Sequence, residues 1–184
     1  MTVVLAVKDD EGKLVFGADS AASCETSLSI RPDVKVFKKK GYTIGFAGSF
    51  RLFQIVRYEM VLPDIPPHLS SASALKFMVQ KFVGRLRRYH SEQGVMKTSS
   101  GVDGFDGSTL LVGFQSHIFT VEDDYHVAPH AEYAAIGCGS EAALGSLYAL
   151  KESGAMSAVD AVRTALNAAE YSCTSVRGPM HVIT

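Results

Sequence analysis

Residues 1–18 read MTVVLAVKDDEGKLVFGA, and the two apolar runs in this stretch decide the fold. Val3-Val4-Leu5-Ala6-Val7 and Leu14-Val15-Phe16-Gly17-Ala18 flank Asp9-Asp10-Glu11-Gly12. A turn signal between two β-rich runs predicts a hairpin, with strands over residues 2–8 and 13–19. Neither strand alternates apolar with polar side chains. A strand that is apolar on both faces needs a cover on each side. This hairpin therefore belongs to a sheet buried above and below.

The rest of the chain supplies the covers. Val34–Phe37 and Tyr42–Ala47 predict a second hairpin around Lys38-Lys39-Lys40-Gly41. A helix is expected after Gly48, with Ser49 as its cap and Leu52, Ile55, Val56 and Met60 at helical spacing. Pro63-Asp64-Ile65-Pro66-Pro67 ends it. The next helix carries Leu75, Met78, Val79, Phe82, Leu86 and Tyr89 in one stripe, with Arg85, Arg87 and Arg88 on its solvated face. Residues 101–107 read as a loop. Thr109–Phe114, His117–Val121 and Tyr133–Ile136 read as strands, and Gly139–Glu152 as a helix. Ser157-Ala158-Val159-Asp160 is a capping box, with Met156 placed to staple onto Ala161. It opens a helix that runs to Tyr171, and Met180–Thr184 closes the chain as a strand. Strands, two helices, strands, two helices and a strand make an α+β chain. Stacking two sheets with a helix pair on each outer face covers every strand, so the expected fold is a four-layer αββα sandwich formed as one domain over residues 1–184.

Composition excludes several classes of function. A chain of 184 residues, 47% hydrophobic, can bury a full core. Its net charge of -1 gives no global attraction to nucleic acid or anionic membrane. No apolar run approaches the ~20 residues that span a bilayer. Val3–Val7 is too short for a signal-peptide core and Lys8-Asp9-Asp10 is the wrong flank, so a cytoplasmic protein is expected. Cys24, Cys138 and Cys173 are odd in number and lack CxxC spacing, which argues against a disulfide framework or zinc ribbon. Cys24 and Cys173 read as small buried hydrophobes. His126 and His130 surround Pro129 without helical pattern, and neither a metal site nor a cofactor site is expected.

The chemistry starts at residue 2. Methionine is normally removed when a small residue follows it, and Thr2 would then carry its hydroxyl beside its own α-amine. That amine titrates at about 7.7–8.0, which suits a general base at neutral pH, and a threonine with its N-terminal amine is a known activated nucleophile. Asp19 ends the strand that returns toward Thr2. Lys35 sits in the apolar run Asp33-Val34-Lys35-Val36-Phe37; buried beside a hydroxyl, it would lower the nucleophile's pKa and pair with Asp19. Gly45-Phe46-Ala47-Gly48-Ser49 leads from a strand into a helix N-terminus, whose N–H groups and dipole would make an oxyanion hole. Cys138 can also be read as a thiol nucleophile, though no histidine is obviously placed beside it.

The set MTVV, GADS, VKV, GFAGS and AIGCGSEAALG, in this order, resembles the proteasome β-subunit family, including the bacterial HslV-type peptidases. These are N-terminal nucleophile hydrolases with an αββα fold. The resemblance covers nearly the whole chain, strongest in residues 2–48 and 134–147. It implies that Thr2 is the nucleophile, Asp19 the acid paired with the lysine, Lys35 the lysine that tunes the hydroxyl, and Gly48 the oxyanion donor. It implies that Ala22, Phe46 and Phe50 shape the pocket for the substrate side chain before the cut. The family's serine in the loop Gly137-Cys138-Gly139-Ser140 is here Cys138, a weaker hydrogen-bonding group. The family's supporting aspartate falls on Ser172, with Ser175 or Thr174 at the following hydroxyl position.

The expected function is then a threonine endopeptidase acting on unfolded polypeptides or peptides. The resemblance further implies a homo-oligomeric ring, served by an ATPase unfoldase or an α-type ring. With only Met1 before Thr2, no longer propeptide is expected to need cutting. Two alternatives stand beside it: a ring-forming scaffold subunit that does not cut, and an amidase or acyl transferase of the same chemistry acting on small amides.

Overall fold

The structure, a computed structural model, describes residues 2–23, 27–99, 101–105, 107–154 and 157–184. The readings of Met1, Cys24 and Met156 fall outside these residues. Strand β1 (Val4–Lys8) pairs antiparallel with β2 (Leu14–Ala18), Val4 opposite Ala18 and Lys8 opposite Leu14. The turn between them closes on Asp9 Oδ1, which accepts the N–H groups of Glu11 at 3.0 Å and Lys13 at 2.8 Å. A short hairpin follows, β3 (Ala21–Ser23) with β4 (Leu28–Ile30). The sequence does not announce it, because each strand has three residues and those of β4 are all exposed. Then comes the expected hairpin, β5 (Val36–Lys39) and β6 (Tyr42–Ala47). Its turn places Lys40 at φ 51° and Gly41 at φ 81°. Two positive φ values in a two-residue loop match the twist of the flanking strands.

Helix α1 (Phe50–Gln54) runs into a π-helical turn over Ile55–Glu59. Helix α2 (Ser71–Phe77) passes through a second π-helical turn, Met78–Val83, into α3 (Gly84–Glu92). This second turn corrects the expected stripe. Met78, Phe82 and Leu86 are buried, but Val79 is 50% exposed and Phe77 takes its place in the core. A wider i→i+5 turn changes the phase of the helix face. Arg87 and Arg88 lie on the exposed side, bonded to Asp103 and Glu92. Strand β7 (Lys97–Ser99) pairs antiparallel with β8 (Val102–Gly104), where a loop was expected over 101–107. Strands β9 (Thr109–Phe114), β10 (His117–Val121), β11 (Val127–His130) and β12 (Tyr133–Ile136) follow. Of these, β11 was missed because Pro129 interrupts it. Helices α4 (Ser140–Ser153) and α5 (Ala158–Ser172) precede the last strand, β13 (His181–Ile183). Ser157 caps α5, its Oγ accepting the Asp160 N–H at 3.2 Å.

One sheet runs β12-β1-β2-β13 and the other β11-β10-β9-β6-β5. Alternate side chains of β1 and β2 explain the layers. Val4, Ala6 and Phe16 point between the sheets, toward Val36, Leu111 and Ile118. Val3, Leu5 and Val15 point the other way, against Ala143 and Leu147 of α4 and Val162 and Leu166 of α5. The far face of the second sheet, with Tyr42, Ile44, Val112 and Phe114, packs on Leu52, Val56, Met78, Phe82 and Leu86. The architecture is therefore the four-layer αββα sandwich. Gly113 is needed where Phe16 crosses between the sheets, since a Cβ there would lie 2.7 Å from the Phe16 ring. Among the described residues no helix is long and apolar enough to cross a membrane.

Two predictions follow from this core. Phe16→Ala removes a fully buried ring from the space between the sheets; it is expected to lower unfolding free energy by about 3–5 kcal/mol, against about 0.5 kcal/mol or less for Val79→Ala, measured by denaturant titration. His90 is buried, with Nδ1 3.1 Å from the Tyr125 hydroxyl and no hydrogen-bond partner for Nε2 among the described residues. Burial depresses its pKa from 6.5 to about 4. The unfolded chain binds this proton first as pH falls, so stability is complete above pH 6.5 and is lost on the way down to about 4, by about 3 kcal/mol in all. His130, lowered by burial as well, adds to the same slope. His90→Gln should flatten the dependence by one histidine's share; an unchanged slope would exclude His90 as its source.

Candidate active site

The β1–β2 register carries the chain ends of both strands to one place. With Val4 opposite Ala18, Val3 and Thr2 meet Asp19 one step beyond the ladder. Asp19 N–H donates to the Val3 carbonyl at 3.2 Å. Its Oδ1 accepts the Val3 N–H at 3.0 Å and the Thr2 hydroxyl at 3.2 Å. Its Oδ2 accepts the Ala21 N–H at 3.0 Å and the Arg177 N–H at 3.4 Å. Lys35 enters from the other sheet, immediately before β5, where its carbonyl accepts the Phe46 N–H at 3.3 Å. Its Nζ lies 2.7 Å from Asp19 Oδ1 and donates to Thr2 Oγ1 as well. Thr2, Asp19 and Lys35 are 3%, 0% and 1% exposed.

Such a cluster is costly to bury, because two charges leave water. Asp19 offsets part of that cost through its backbone N–H groups. Burial lowers the Lys35 pKa, and the adjacent Asp19 opposes the shift. The consequence falls on Thr2. Its hydroxyl donates to a carboxylate and accepts from an ammonium; the ammonium stabilises a developing alkoxide, while the carboxylate holds the ammonium in place. Buried titratable groups converging on one hydroxyl mark a functional-site candidate.

The loop before α4 closes over the backbone of Thr2. Gly137 has φ 92°, and a Cβ there would overlap the Thr2 carbonyl. That carbonyl accepts from Gly139 N–H at 3.3 Å and from Cys138 Sγ at 3.4 Å. The Thr2 N–H in turn points to Cys138 Sγ at 3.3 Å. Cys138 is thus beside the nucleophile candidate, where the resemblance puts a serine. Partial desolvation, and its hydrogen bond with Cys173, push the Cys138 thiol up from its usual range.

The C-terminal part of the expected site differs. Ser172 is exposed and its hydroxyl donates to the Ala168 carbonyl at 2.8 Å, within its own helix. It does not occupy the supporting position. One residue later, Cys173 leaves the helix and its Sγ lies 3.4 Å from Cys138 Sγ. Cys173 is half-buried and bonded, not a plain core hydrophobe. The resemblance puts Ser172 at the supporting position, and the structure brings the next residue, Cys173, to Cys138 instead. Ser175 is buried, but among the described residues no hydrogen bond joins it to Thr2. The Arg177 N–H, on Asp19, was also missed, since a backbone donor leaves no mark in a sequence.

Gly48 follows β6 on the Lys35 side. It is exposed, at φ 115°, and Ser108 packs where its Cβ would stand. Ser108 Oγ accepts the Ser49 N–H at 2.9 Å. Ser49 is at the N-cap, but its side chain makes no capping bond, and α1 is five residues long. The expected helix-dipole contribution is therefore small, and an oxyanion there would rest on the N–H groups alone. Of the expected pocket residues, Ala22 and Phe50 are half-buried. Phe46 is 2% exposed, stacked on Phe53 at 4.0 Å and edge-on to Phe50 at 5.1 Å. Its ring lies in the core, behind Phe50. Arg31, unnoticed in the sequence, lies 4.3 Å over the Phe50 ring and is held by both oxygens of Asp33. Among the described residues no group of three or more histidine, cysteine or acidic side chains can hold a metal ion.

No family model matches the chain, and no curated protein does. Solved structures do. BPH from Thiobacillus denitrificans superposes with a TM-score of 0.80 at 21% identity, over 99% of this chain and 96% of that one. HslV from Trypanosoma brucei superposes with a TM-score of 0.70 at 19% identity, over 99% and 98%. Anbu from Yersinia bercovieri superposes with a TM-score of 0.63 at 15% identity, over 99% and 80%. At these identities the likeness concerns the backbone. The chain has the αββα fold that these structures share.

Proposed function

We propose that this chain is a threonine-type endopeptidase whose nucleophile is the Thr2 hydroxyl. One observation carries the reading: the hydroxyl is held between Lys35 Nζ and Asp19 Oδ1 inside a buried ionic cluster. Removal of Met1 turns the Thr2 N–H into a free amine. That amine, with a pKa of about 7.7–8.0 in an unperturbed chain, takes the hydroxyl proton, directly or through a water. The oxygen attacks the peptide carbonyl, and the Lys35 ammonium stabilises the negative charge it carries. The Gly48 N–H, free of any described partner, is the proposed donor to the tetrahedral oxyanion. The amine then protonates the leaving nitrogen, and water hydrolyses the ester on Thr2. Cys138, at 3.3 Å from the Thr2 nitrogen, is proposed to orient the amine. Ala22 and Phe50 are proposed to face the substrate side chain before the cut, with Phe46 behind them.

Likeness to HslV in fold supports further proposals: a homo-oligomeric ring in the cytoplasm, unfolded polypeptide as substrate, and an ATPase unfoldase or α-type ring as partner.

The first test is removal of the nucleophile. Thr2→Ala should abolish hydrolysis of fluorogenic peptides, and Thr2→Ser should retain part of it. BPH has been solved in complex with epoxomicin, and the same compound should add its mass to peptide 2–8 of the Met1-free wild type and not to Thr2→Ala. Folded, Met1-free protein that binds no epoxomicin and cuts no peptide would instead be a scaffold; cleavage of small amides alone would select the amidase. A second test concerns the ion pair. Asp19→Asn and Lys35→Met should each lower kcat/KM by about 100-fold or more, with the double variant no worse than the single ones, as expected for residues that act as a unit. Each single change should also cost about 3–5 kcal/mol of stability by leaving a buried charge unpaired. The double change should cost less than the sum. Additive, small effects on both readouts would sink the assignment.

A further inference from the structure

The chain keeps two sulfur atoms against its nucleophile candidate, and the proposed hydrolysis uses one of them only weakly. Cys138 stands at the entrance to α4, beside Gly139 at the N-cap. Cys173 is the C-cap of α5. Helices α4 and α5 pack on one another through Leu147, Val162 and their neighbours, so both cysteines are carried by a fixed frame. Their Sγ atoms are 3.4 Å apart, in hydrogen-bond contact. A disulfide needs an S–S distance of about 2.05 Å, so the two sulfurs must approach by little more than about 1 Å. Cys138 is exposed and Cys173 half-buried, so a small oxidant reaches the pair.

We propose that Cys138 and Cys173 form a reversible redox-modification site that acts on Thr2. The oxidant class is a hydroperoxide. One of the two sulfurs attacks one peroxide oxygen and the O–O bond breaks, leaving a sulfenic acid and one water. The other sulfur then attacks the sulfenic sulfur, the S–O bond breaks, and a second water leaves. Two thiols and one hydrogen peroxide become one disulfide and two waters. A dithiol reductant returns two electrons and two protons.

The coupling to Thr2 is geometric. The reduced Cys138 thiol accepts the Thr2 N–H at 3.3 Å and donates to the Thr2 carbonyl at 3.4 Å. Disulfide closure removes the S–H donor and draws the sulfur toward Cys173. Thr2 then loses a partner on each side of its Cα. The effect on turnover rests on the threonine-nucleophile reading; formation of the disulfide does not.

The experiment uses the intact wild-type protein with equimolar hydrogen peroxide, thiol blocking by iodoacetamide, and trypsin. The sequence puts Cys24, Cys138 and Cys173 on separate tryptic peptides, 14–35, 98–151 and 164–177. The expected product joins peptides 98–151 and 164–177 with the loss of two hydrogens, runs as a monomer on non-reducing electrophoresis, and separates with dithiothreitol. Cys173→Ser should give no such link. Both cysteines remaining alkylated, separate overoxidation of Cys138, or a link only between chains would overturn the proposal. Peptidase turnover should fall at least tenfold as the link forms and return with dithiothreitol; unchanged turnover would overturn the coupling. Absence of turnover even in reduced protein would count against the peptidase reading, while the peptide map would still decide the disulfide.

Discussion

The ion pair between Lys35 and Asp19 spans the two sheets, and the site depends on it. Asp19 follows a strand of one sheet and Lys35 precedes a strand of the other, with Nζ and Oδ1 2.7 Å apart. Two charges at 1% and 0% exposure would each oppose folding if left alone. Their mutual attraction, with backbone donors on the carboxylate, makes the arrangement tolerable. A hydrophobic pair of similar volume would suit stability at least as well. Keeping charges there is understandable if they serve the hydroxyl that both of them touch.

The second constraint is steric. The Gly137–Gly139 loop lies so close to Thr2 that Gly137 admits no side chain, and the loop grips the Thr2 carbonyl from Gly139 and Cys138. Thr2 is thus held from two directions: its side chain by the ion pair, its backbone by the loop. The first grip is electrostatic and lies between the sheets. The second depends on sulfur, whose hydrogen bonds are weak and whose chemistry is reversible. The pairing of a rigid anchor with a soft one gives the redox proposal its physical basis.

Most of the core was legible because side-chain periodicity records burial directly. Val3 to Val7 and Leu14 to Ala18 lack alternation, and that property alone required layers on both sides. Legibility failed where burial leaves no periodic trace. The hairpin β3–β4 is short and exposed, and β11 contains a proline. The π-helical turn at Met78–Val83 changes the phase of a stripe that reads as regular, so Val79 turns outward. Phe46 was placed in the pocket by resemblance and belongs to the core, since the strand's alternation sends its ring toward Phe53.

Sequence by itself offered Thr2, Asp19 and Lys35 as candidates, through their places beside apolar runs and through the resemblance that MTVV, GADS and VKV carry. It also determined the layered architecture. Only the tertiary structure decided that Cys173, and not Ser172, meets Cys138. A helix rotates its side chains by about 100° per residue, so a one-residue difference at the end of α5 exchanges solvent for the site. The Arg177 N–H on Asp19 and the Ser108 support under Gly48 were also decided there. Backbone donors and contacts between distant segments follow from how the chain returns on itself, and no local pattern of residues encodes that return.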